Sequence, residues 1–585
     1  MLSSHQSPLI ISASAAARLP RWALLVLIAT LALAGFSGHF FWNARDEQVF
    51  GLMWTMARGT WADWVLPNIA GQDYSATGPG IAWLGAALIR LSLSVLPPFP
   101  VAKISGLLWF ALAASSVWYG TWHLARREEA QPISMLFGEE ASPRDYSRTV
   151  ADSATLLFVA SFGLLSRIHE IGLPIVVLGC WSMGTAGVIW SLAHKKAGAV
   201  AAGAAAGLMT LCGNIAWGGS LLAAELAVIF FVRSFKGGRL SRAGIACGSM
   251  AAVVLIWPLS AHFAGVPLDV WAGAWSAVQS SAFAWITPNH ATWLLRNFIW
   301  YLCPMWPFAV YALYAWHRVI GCTQIMLPLI SAGAALVTPL FAAGIPELSL
   351  LATAPSVAIL AAFGLAALKR RSYENLLDWF SATIFSLGAV GLWCYYIAWR
   401  TGFPPKMANS VERLAPGVVP WVEGSLLFAT AAVTALWFAI VAKRLRRRPK
   451  ALWRGPWLAA LGITLFWVEA TALFSPGLDA YRSYTPVARE ISGKLRLFGY
   501  SSADCVFSDG IPSNLRGLLY YSGVHFGTEE KACRFTLSKI KKHDALPSDL
   551  IGIPTVYPRS EEAYLIRPGS SKPLQQSYAQ HVRDN

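Results

Sequence analysis

The stretch SLLATAPSVAILAAFGLAALKRR, residues 349–371, decides the fold class of this chain. Residues 349–368 hold no charged side chain, and three consecutive basic residues follow them. An apolar run of about 17–25 residues is long enough to cross a bilayer as an α-helix. The stretch therefore predicts a membrane-spanning helix that ends at a basic loop.

The composition of the whole chain agrees with this stretch. Of its 585 residues, 56% are hydrophobic and 13% are charged, and the mean hydropathy is +0.49. A soluble domain averages about 25% charged residues, so the composition argues against a single soluble enzyme. The 28 Trp and 29 Phe argue against disorder, because a disordered chain avoids burial. The sequence predicts an all-α polytopic membrane protein.

Thirteen apolar runs of spanning length follow one another along the chain. They lie at roughly 21–42, 101–124, 150–166, 171–192, 197–213, 216–232, 243–262, 298–316, 324–343, 349–368, 377–399, 420–442 and 455–474. With this count every basic cluster, the strongest at 443–454, falls in a cytoplasmic loop. The tail 1–20 is then inside and the segment from 475 is outside. The same loops account for the net charge of +16, so we expect no nucleic-acid partner.

A further apolar segment, 79–97, would reverse the side of every later loop if it crossed the membrane. We therefore expect it to be a helix that lies at the outer interface or is packed partway into the membrane. The first run, 21–42, could alternatively be a signal peptide. It is long and no polar mature domain follows it, so an uncleaved span is the favoured interpretation.

The segment 475–585 differs from the rest in its many charged and turn-forming residues. Its pattern predicts four elements, which are helices at 485–497 and 513–522 and strands at 504–508 and 563–567. We interpret it as a small α/β domain on the periplasmic side. Cys505 and Cys533 are its only cysteines, and an oxidising compartment would allow a disulfide between them.

The first outer loop, 43–100, opens with the acidic pair Asp46 and Glu47. An amphipathic helix follows, with apolar residues at i, i+3, i+4 and i+7 spacing. They are Phe50, Met53, Trp54 and Ala57. Acidic residues favour helix N-termini, so the pair either caps this helix or takes part in catalysis, and charge alone leaves both open.

Two later outer loops hold further ionisable groups. Arg167, His169 and Glu170 crowd into a very short loop, which is unfavourable unless they pair or have a function. The simplest alternative is an Arg167–Glu170 ion pair. His290 and Arg296 lie among Trp residues typical of an interfacial belt and are candidates for binding an anionic group.

The stretch 45–88, RDEQVFGLMWTMARGTWADWVLPNIAGQDYSATGPGIAWLGAAL, resembles the first periplasmic loop of C-superfamily membrane glycosyltransferases. The most similar branch contains aminoarabinose transferases and protein mannosyltransferases, including the dolichyl-phosphate-mannose-protein type. The family's Asp-Glu pair and its Lys-Pro step fall at Asp46-Glu47 and Gly78-Pro79. Further matches lie at 303–314 and 344–368. The likeness covers about 20–475 and implies that 21–474 is the transferase domain.

The resemblance implies transfer of a sugar from a polyisoprenyl-phosphate donor to a lipid or protein acceptor. The reaction would occur at the outer face of a bacterial-type inner membrane. It needs a carboxylate as general base, cations for the leaving phosphate and an apolar groove for the lipid tail. Asp46 matches the family's catalytic carboxylate, Glu47 is its neighbour, and Glu170 falls near an acid of the second loop.

The chain departs from the family at three lysines, which fall at Gly78, at about Gly213-Asn214 and at about Ile345. Five residues are candidate substitutes for binding phosphate. They are Arg58, Arg167, His169, His290 and Arg296. Some relatives use a divalent ion, and the three acids named above would suit Mg or Mn, although the sequence does not decide whether a metal is used.

Two alternatives stay open. A transporter or flippase would show internal repeats and charges at mid-membrane, and we find neither. A non-catalytic lipid-binding or assembly protein of the same fold is supported by the missing lysines. No Walker loop, dinucleotide fingerprint or Cys/His zinc pattern occurs in a suitable setting.

Overall fold

The structure is a computed structural model of the chain. It describes residues 7–36, 38–92, 95–133, 141–368, 372–446, 451–541, 550–551, 554–556 and 562–569. The basic residues at 369–371 and 447–450, which helped to orient the spans, lie outside these ranges.

The described part is mainly helical. The first helices are α1 Arg21–Leu33, α2 Ala44–Arg58, α3 Trp61–Val65, α4 Gly80–Ser92, α5 Pro98–Ala125, α6 Pro143–Val159, α7 Leu173–Trp190, α8 Lys195–Cys212, α9 Ile215–Phe231, α10 Arg239–Val254 and α11 Ile256–Phe263. They are followed by α12 Leu268–Ser280, α13 Pro288–Tyr301, α14 Met305–Ala315, α15 Thr323–Val337, α16 Glu347–Ala366, α17 Ser372–Thr401, α18 Pro405–Leu414, α19 Gly424–Arg446, α20 Arg454–Arg482, α21 Thr485–Leu497 and α22 Ser513–Tyr521. Each of the thirteen predicted runs overlaps a helix or a bent pair of helices.

Eight helices among the described residues are long and apolar enough to cross a membrane, or up to ten if each bent pair is one span. The chain is therefore a multi-pass membrane protein, and the count of thirteen stays a prediction. The run 298–316 is not one straight span, because α13 and α14 meet at an angle of 89°. The first run is also different, since α1 ends at Leu33 and the chain to residue 43 is irregular.

The helices differ in how deeply they are buried. The most apolar part of α16 is entirely buried inside the protein, where it packs against α6, α7, α14 and α15. In the most apolar part of α19 only 11% of the residues are buried, and in that of α17 only 22% are. The core of the bundle is therefore built around α16, and α17 and α19 lie at its periphery.

The domain boundary predicted between 474 and 475 falls inside α20, which continues to Arg482. A short hairpin of β1 Asn68–Ile69 and β2 Gln72–Asp73 lies in the first outer loop. The strands of the C-terminal domain are β3 Val506–Asp509, β4 Phe526–Gly527, β5 Phe535–Lys541, β6 Thr555–Val556 and β7 Glu562–Pro568. Their sheet has the order β4-β3-β5-β7-β6, with β3 parallel to both its neighbours and β7 antiparallel to both of its own. All four elements predicted for the domain are present, and Cys505 and Cys533 form a disulfide.

This domain packs directly on the first outer loop. A Cβ atom placed on Gly517 of α22 would lie 2.7 Å from the Cα of Gly51 in α2, so the two backbones touch. Arg516 donates hydrogen bonds to the carbonyl oxygens of Ile69 (3.1 Å) and Ala70 (2.8 Å). The C-terminal domain thereby fixes the position of α2.

Candidate active site

A cavity of about 530 Å³ lies where the first outer loop, the 166–170 segment and the end of α20 meet. Its polar lining comes from five separate parts of the chain. The lining residues are His39, Phe40, Phe41, Trp42, Asn43, Ala44, Arg45, Asp46, Lys103, Ser166, Arg167, His169, Glu170, Trp467, Arg482 and Tyr484. Four of the sequence-predicted site residues, Asp46, Arg167, His169 and Glu170, are thus brought together.

Asp46 occupies the first turn of α2, which Asn43 caps by accepting a hydrogen bond from the Arg45 amide (3.1 Å). Its Oδ1 accepts hydrogen bonds from the amides of Ile171 (3.2 Å) and Gly172 (2.8 Å). Among the described residues nothing hydrogen-bonds Oδ2, and the side chain lines the cavity. Burial and the charge of Glu170 raise the pKa of Asp46 well above its usual value, although the two amides oppose this.

Glu47, the next residue, faces away from the cavity. Its Oε1 accepts hydrogen bonds from the Ser483 hydroxyl (2.9 Å) and the Tyr484 amide (2.7 Å), and its Oε2 accepts one from Asn514 (2.9 Å). The side chain is fully buried, and this burial raises its pKa to about 7. Both oxygens of Glu47 thus bind the C-terminal domain, outside the predicted catalytic centre.

Arg167 lies between two carboxylates. It donates to Glu347 at the start of α16 through Nε (2.9 Å) and Nη2 (2.7 Å), and to Glu170 through Nη1. The ion pair expected as the simplest alternative is therefore present, with a second acid added. Two carboxylates compensate the charge of Arg167, so it offers little positive charge to a substrate phosphate. Sequence reasoning missed Glu347, whose only signal was an acid in the first turn of an apolar helix.

His169 forms part of the cavity wall. Its ring stacks on Trp467 with centroids 4.4 Å apart, and its Nε2 lies 2.8 Å from the carbonyl oxygen of Leu31. The ring therefore links the end of α1 to α20 at the base of the cavity.

Three further cations line the cavity that sequence reasoning did not select. Lys103 of α5 is buried and donates to the carbonyl oxygens of Phe36 (3.1 Å) and His39 (2.9 Å). Arg45 and Arg482 are exposed at the mouth of the cavity, and within the described ranges neither has an ion-pair partner. Lys103 was detectable as a charged residue inside an apolar run, a position that is often functional.

The other predicted phosphate-binding residues lie elsewhere. Arg58 stands at the far end of α2, over the ring of Trp54 at 5.4 Å. His290 and Arg296 lie on α13 and do not line the cavity. Their grouping with the site rested on an outer-loop position, which does not determine proximity.

Two of the positions at which the family lysines are replaced touch each other. The amide of Gly78 donates to the carbonyl oxygen of Gly213 at 3.0 Å. A Cβ atom on Gly78 would lie 2.1 Å from the carbonyl oxygen of Leu211, so no larger side chain fits there without a backbone shift. Close backbone packing therefore occupies the place where a lysine side chain would start.

The residues present do not fit the divalent ion considered from the sequence. Within the described ranges no group of three or more His, Cys, Asp or Glu side chains is placed to hold a metal. Of the three predicted ligands, Glu47 binds the C-terminal domain and Glu170 binds Arg167. Only Asp46 then remains as a ligand.

No protein-family model matches the chain, and no curated protein matches it in sequence. Among solved structures, ArnT from Cupriavidus metallidurans bound to undecaprenyl phosphate matches with a TM-score of 0.62 and 16% identity, over 94% of this chain and 98% of ArnT. The same protein in the apo state gives 0.65 and 15%, over 94% and 99%. The oligosaccharyltransferase AglB from Archaeoglobus fulgidus gives 0.40 and 13%, over 88% and 69%. The likeness shows that the chain shares the fold of ArnT over nearly its whole length, which agrees with the fold that the sequence resemblance implied.

Proposed function

We propose that this protein is a glycosyltransferase that moves a sugar from a polyisoprenyl-phosphate donor to a lipid or protein acceptor. The observation that carries the proposal is a cavity lined by cations and by the buried carboxylate of Asp46, whose Oδ2 accepts no hydrogen bond from any described residue. The shared fold with ArnT, whose solved structure contains undecaprenyl phosphate, supports the same class of donor.

Asp46 is the general base of this reaction. Its Oδ2 takes the proton of the acceptor hydroxyl, whose oxygen then forms the new bond to the anomeric carbon of the sugar. The bond from that carbon to the phosphate oxygen breaks, and polyisoprenyl phosphate leaves with the bonding electrons. A carboxylate whose pKa is raised above its usual value is a stronger base, which suits this step.

The leaving phosphate gains charge as the bond breaks, and preorganised cations stabilise it. Arg45 and Arg482 are the groups for this role, because they stand at the cavity mouth with no ion-pair partner among the described residues. Lys103 adds positive charge from the buried side of the cavity. Its hydrogen bonds to the carbonyl oxygens of Phe36 and His39 hold the cavity wall in shape.

Glu170 and Arg167 act through Asp46 as positioning residues. The negative charge of Glu170 raises the proton affinity of Asp46, and Arg167 holds Glu170 against the start of α16. His169 keeps the wall in place through Trp467 and Leu31.

We place the reaction at the outer face of a bacterial-type inner membrane, with the N-terminus in the cytoplasm and the C-terminal domain in the periplasm. The distribution of basic loops supports this orientation. The Cys505–Cys533 disulfide supports it too, because disulfides persist in oxidising compartments.

The test is mass spectrometry of envelope lipids, glycans and glycoproteins from cells that lack this protein. Complementation with the wild type should restore one sugar modification, and Asp46→Asn should leave it absent at equal expression. Unchanged profiles in the deleted strain would contradict the proposal.

A non-catalytic lipid-binding role is the second candidate, favoured by the closed contact between Gly78 and Gly213. This role predicts that the Asp46→Asn variant complements the deletion strain as well as the wild type does. Retention of polyisoprenyl phosphate without turnover by the purified wild-type protein would also favour it.

A further inference from the structure

A second cavity, of about 290 Å³, lies between α1, α5 and α6 and shares no residue with the first. Trp118 in this cavity and Lys103 in the first both lie on α5, fifteen residues apart. At 1.5 Å per helical residue their positions on the helix are about 22 Å apart. The second cavity is therefore independent of the proposed active site.

Its polar end is built around a buried carboxylate. Asp152 is only 3% exposed, and its Oδ1 accepts a hydrogen bond from Trp118 Nε1 at 2.8 Å. Its Oδ2 is buried and has no hydrogen-bond partner among the residues that the structure describes. A buried carboxylate oxygen without a donor is unfavourable, so the geometry indicates that a donor comes from outside the chain.

A cation stands at the mouth of the same cavity. Arg21 begins α1, is exposed and lies over the Trp118 ring at 5.8 Å. Arg21 and Asp152 both line this cavity. Its lining thus contains one positive and one negative group, which complements a zwitterion.

The remaining wall is apolar and open to the outside. Leu24, Leu25 and Ile28 of α1 line it, together with Tyr119 of α5. Leu25 is 64% exposed and Tyr119 is 58% exposed, so a ligand can extend from the cavity along the helix surface. A volume at the lower end of ligand sites, about 300 Å³, suits a headgroup whose chains lie outside.

We propose that this cavity binds a membrane phospholipid with a primary ammonium headgroup. The ammonium donates a hydrogen bond to Asp152 Oδ2, the phosphate lies against Arg21, and the acyl chains follow the apolar face of α1. The site thereby holds a structural lipid at the end of the helix bundle opposite the first cavity.

Native mass spectrometry of the purified full chain with added dioleoyl phosphatidylethanolamine, phosphatidylcholine or phosphatidylglycerol tests this. The wild type should retain phosphatidylethanolamine about tenfold better than phosphatidylcholine, which has no N–H group to offer. Asp152→Asn should remove that preference. Equal retention of the two lipids by the wild type, or a preference for phosphatidylglycerol, would overturn the proposal.

Thr155→Val is the matched control, since Thr155 lines the same cavity and its hydroxyl is bonded to the backbone of Ala151. It should keep the wild-type preference. If Asp152→Asn does not fold, Arg21→Gln at an exposed position provides the test, and it should weaken retention of phosphatidylethanolamine about tenfold. Unchanged retention in the folded variant would equally contradict the site.

Discussion

The first turn of α2 places two neighbouring carboxylates in different regions of the molecule. Asp46 lies in the cavity, and Glu47 lies at the interface with the C-terminal domain. In the cavity, Asp46 keeps one oxygen without a hydrogen-bond donor among the described residues. At the interface with the C-terminal domain, both oxygens of Glu47 accept hydrogen bonds. The two residues are adjacent in sequence, yet successive helical residues point about 100° apart.

This difference separates a reactive group from an anchoring one. A carboxylate whose acceptors are all occupied stabilises the contact that occupies them, whereas an oxygen left open to a cavity can take a proton. The interface anchors α2, and α2 in turn holds Asp46 in the cavity. The C-terminal domain therefore contributes to the site without supplying the base.

The largest expected effect comes from the cavity carboxylate. Asp46→Asn should lower turnover about 100- to 10,000-fold, the range for loss of a general base. The amide keeps an oxygen for the Gly172 amide, so the fold and donor binding should persist. Transfer by the purified variant, compared with retention of polyisoprenyl phosphate, measures the two separately. Full activity would remove Asp46 from the mechanism.

Pushing the two regions apart should have the next largest effect. Gly517→Leu forces α22 away from Gly51, and a displacement of about 1 Å at a catalytic site lowers rates about 100-fold. Limited proteolysis should show a loosened C-terminal domain. Gly493→Leu is the matched control, because a Cβ atom there meets no atom within 4 Å. Equal activity of the two variants would show that docking does not position Asp46.

Removing a cation at the cavity mouth should weaken stabilisation of the donor phosphate. Arg482→Gln should lower kcat/KM for the donor about tenfold, the equivalent of one charged hydrogen bond, because the guanidinium contacts the phosphate before and during its departure. Arg496→Gln, on the domain surface with its contact to Ser522, is the control. An unchanged kcat/KM in Arg482→Gln would contradict a role at the donor phosphate.

Glu47 should make docking depend on pH. Its carboxyl ionises near 4.5 when exposed and near 7 when folded, so unfolding releases a proton between these values. Stability from this group is therefore complete below about pH 4.5 and decreases as the pH rises toward 7. Thermal unfolding should show this decrease in the wild type and a flatter profile in Glu47→Gln. Parallel profiles would contradict the assignment.

The smallest effect is expected at Arg58. It lies outside the cavity on an exposed face, so Arg58→Gln should change activity no more than about twofold. Steady-state kinetics of the purified variant measure this. A large rise in KM for the donor would show that Arg58 does contribute to donor binding.

Local patterns made much of the fold predictable. The helix predicted at 485–497 is Thr485–Leu497, and the strand predicted at 563–567 lies within Glu562–Pro568. Hydrophobic periodicity is a property of neighbouring residues, so one sequence is enough to read it. The length of a helix was harder to predict from the sequence. The apolar run that contains α1 extends to about residue 42, but the helix ends at Leu33.

The site was predictable only in part, because it joins distant segments. Asp46 and Glu170 were marked by charge in outer loops and do share the cavity. Lys103 was hidden in an apolar run, and its partners at Phe36 and His39 come from another segment. The different surroundings of Asp46 and Glu47 depend on where the C-terminal domain packs against α2. No local sequence pattern predicts that position.

The central claim is that these two neighbouring carboxylates have different tasks. The most direct measurement compares the sugar modification of the envelope in cells whose only copy carries Asp46→Asn or Glu47→Gln, at equal expression. We predict that Asp46→Asn leaves the modification absent and that Glu47→Gln retains it. Loss in Glu47→Gln with retention in Asp46→Asn, or retention in both, would contradict the account.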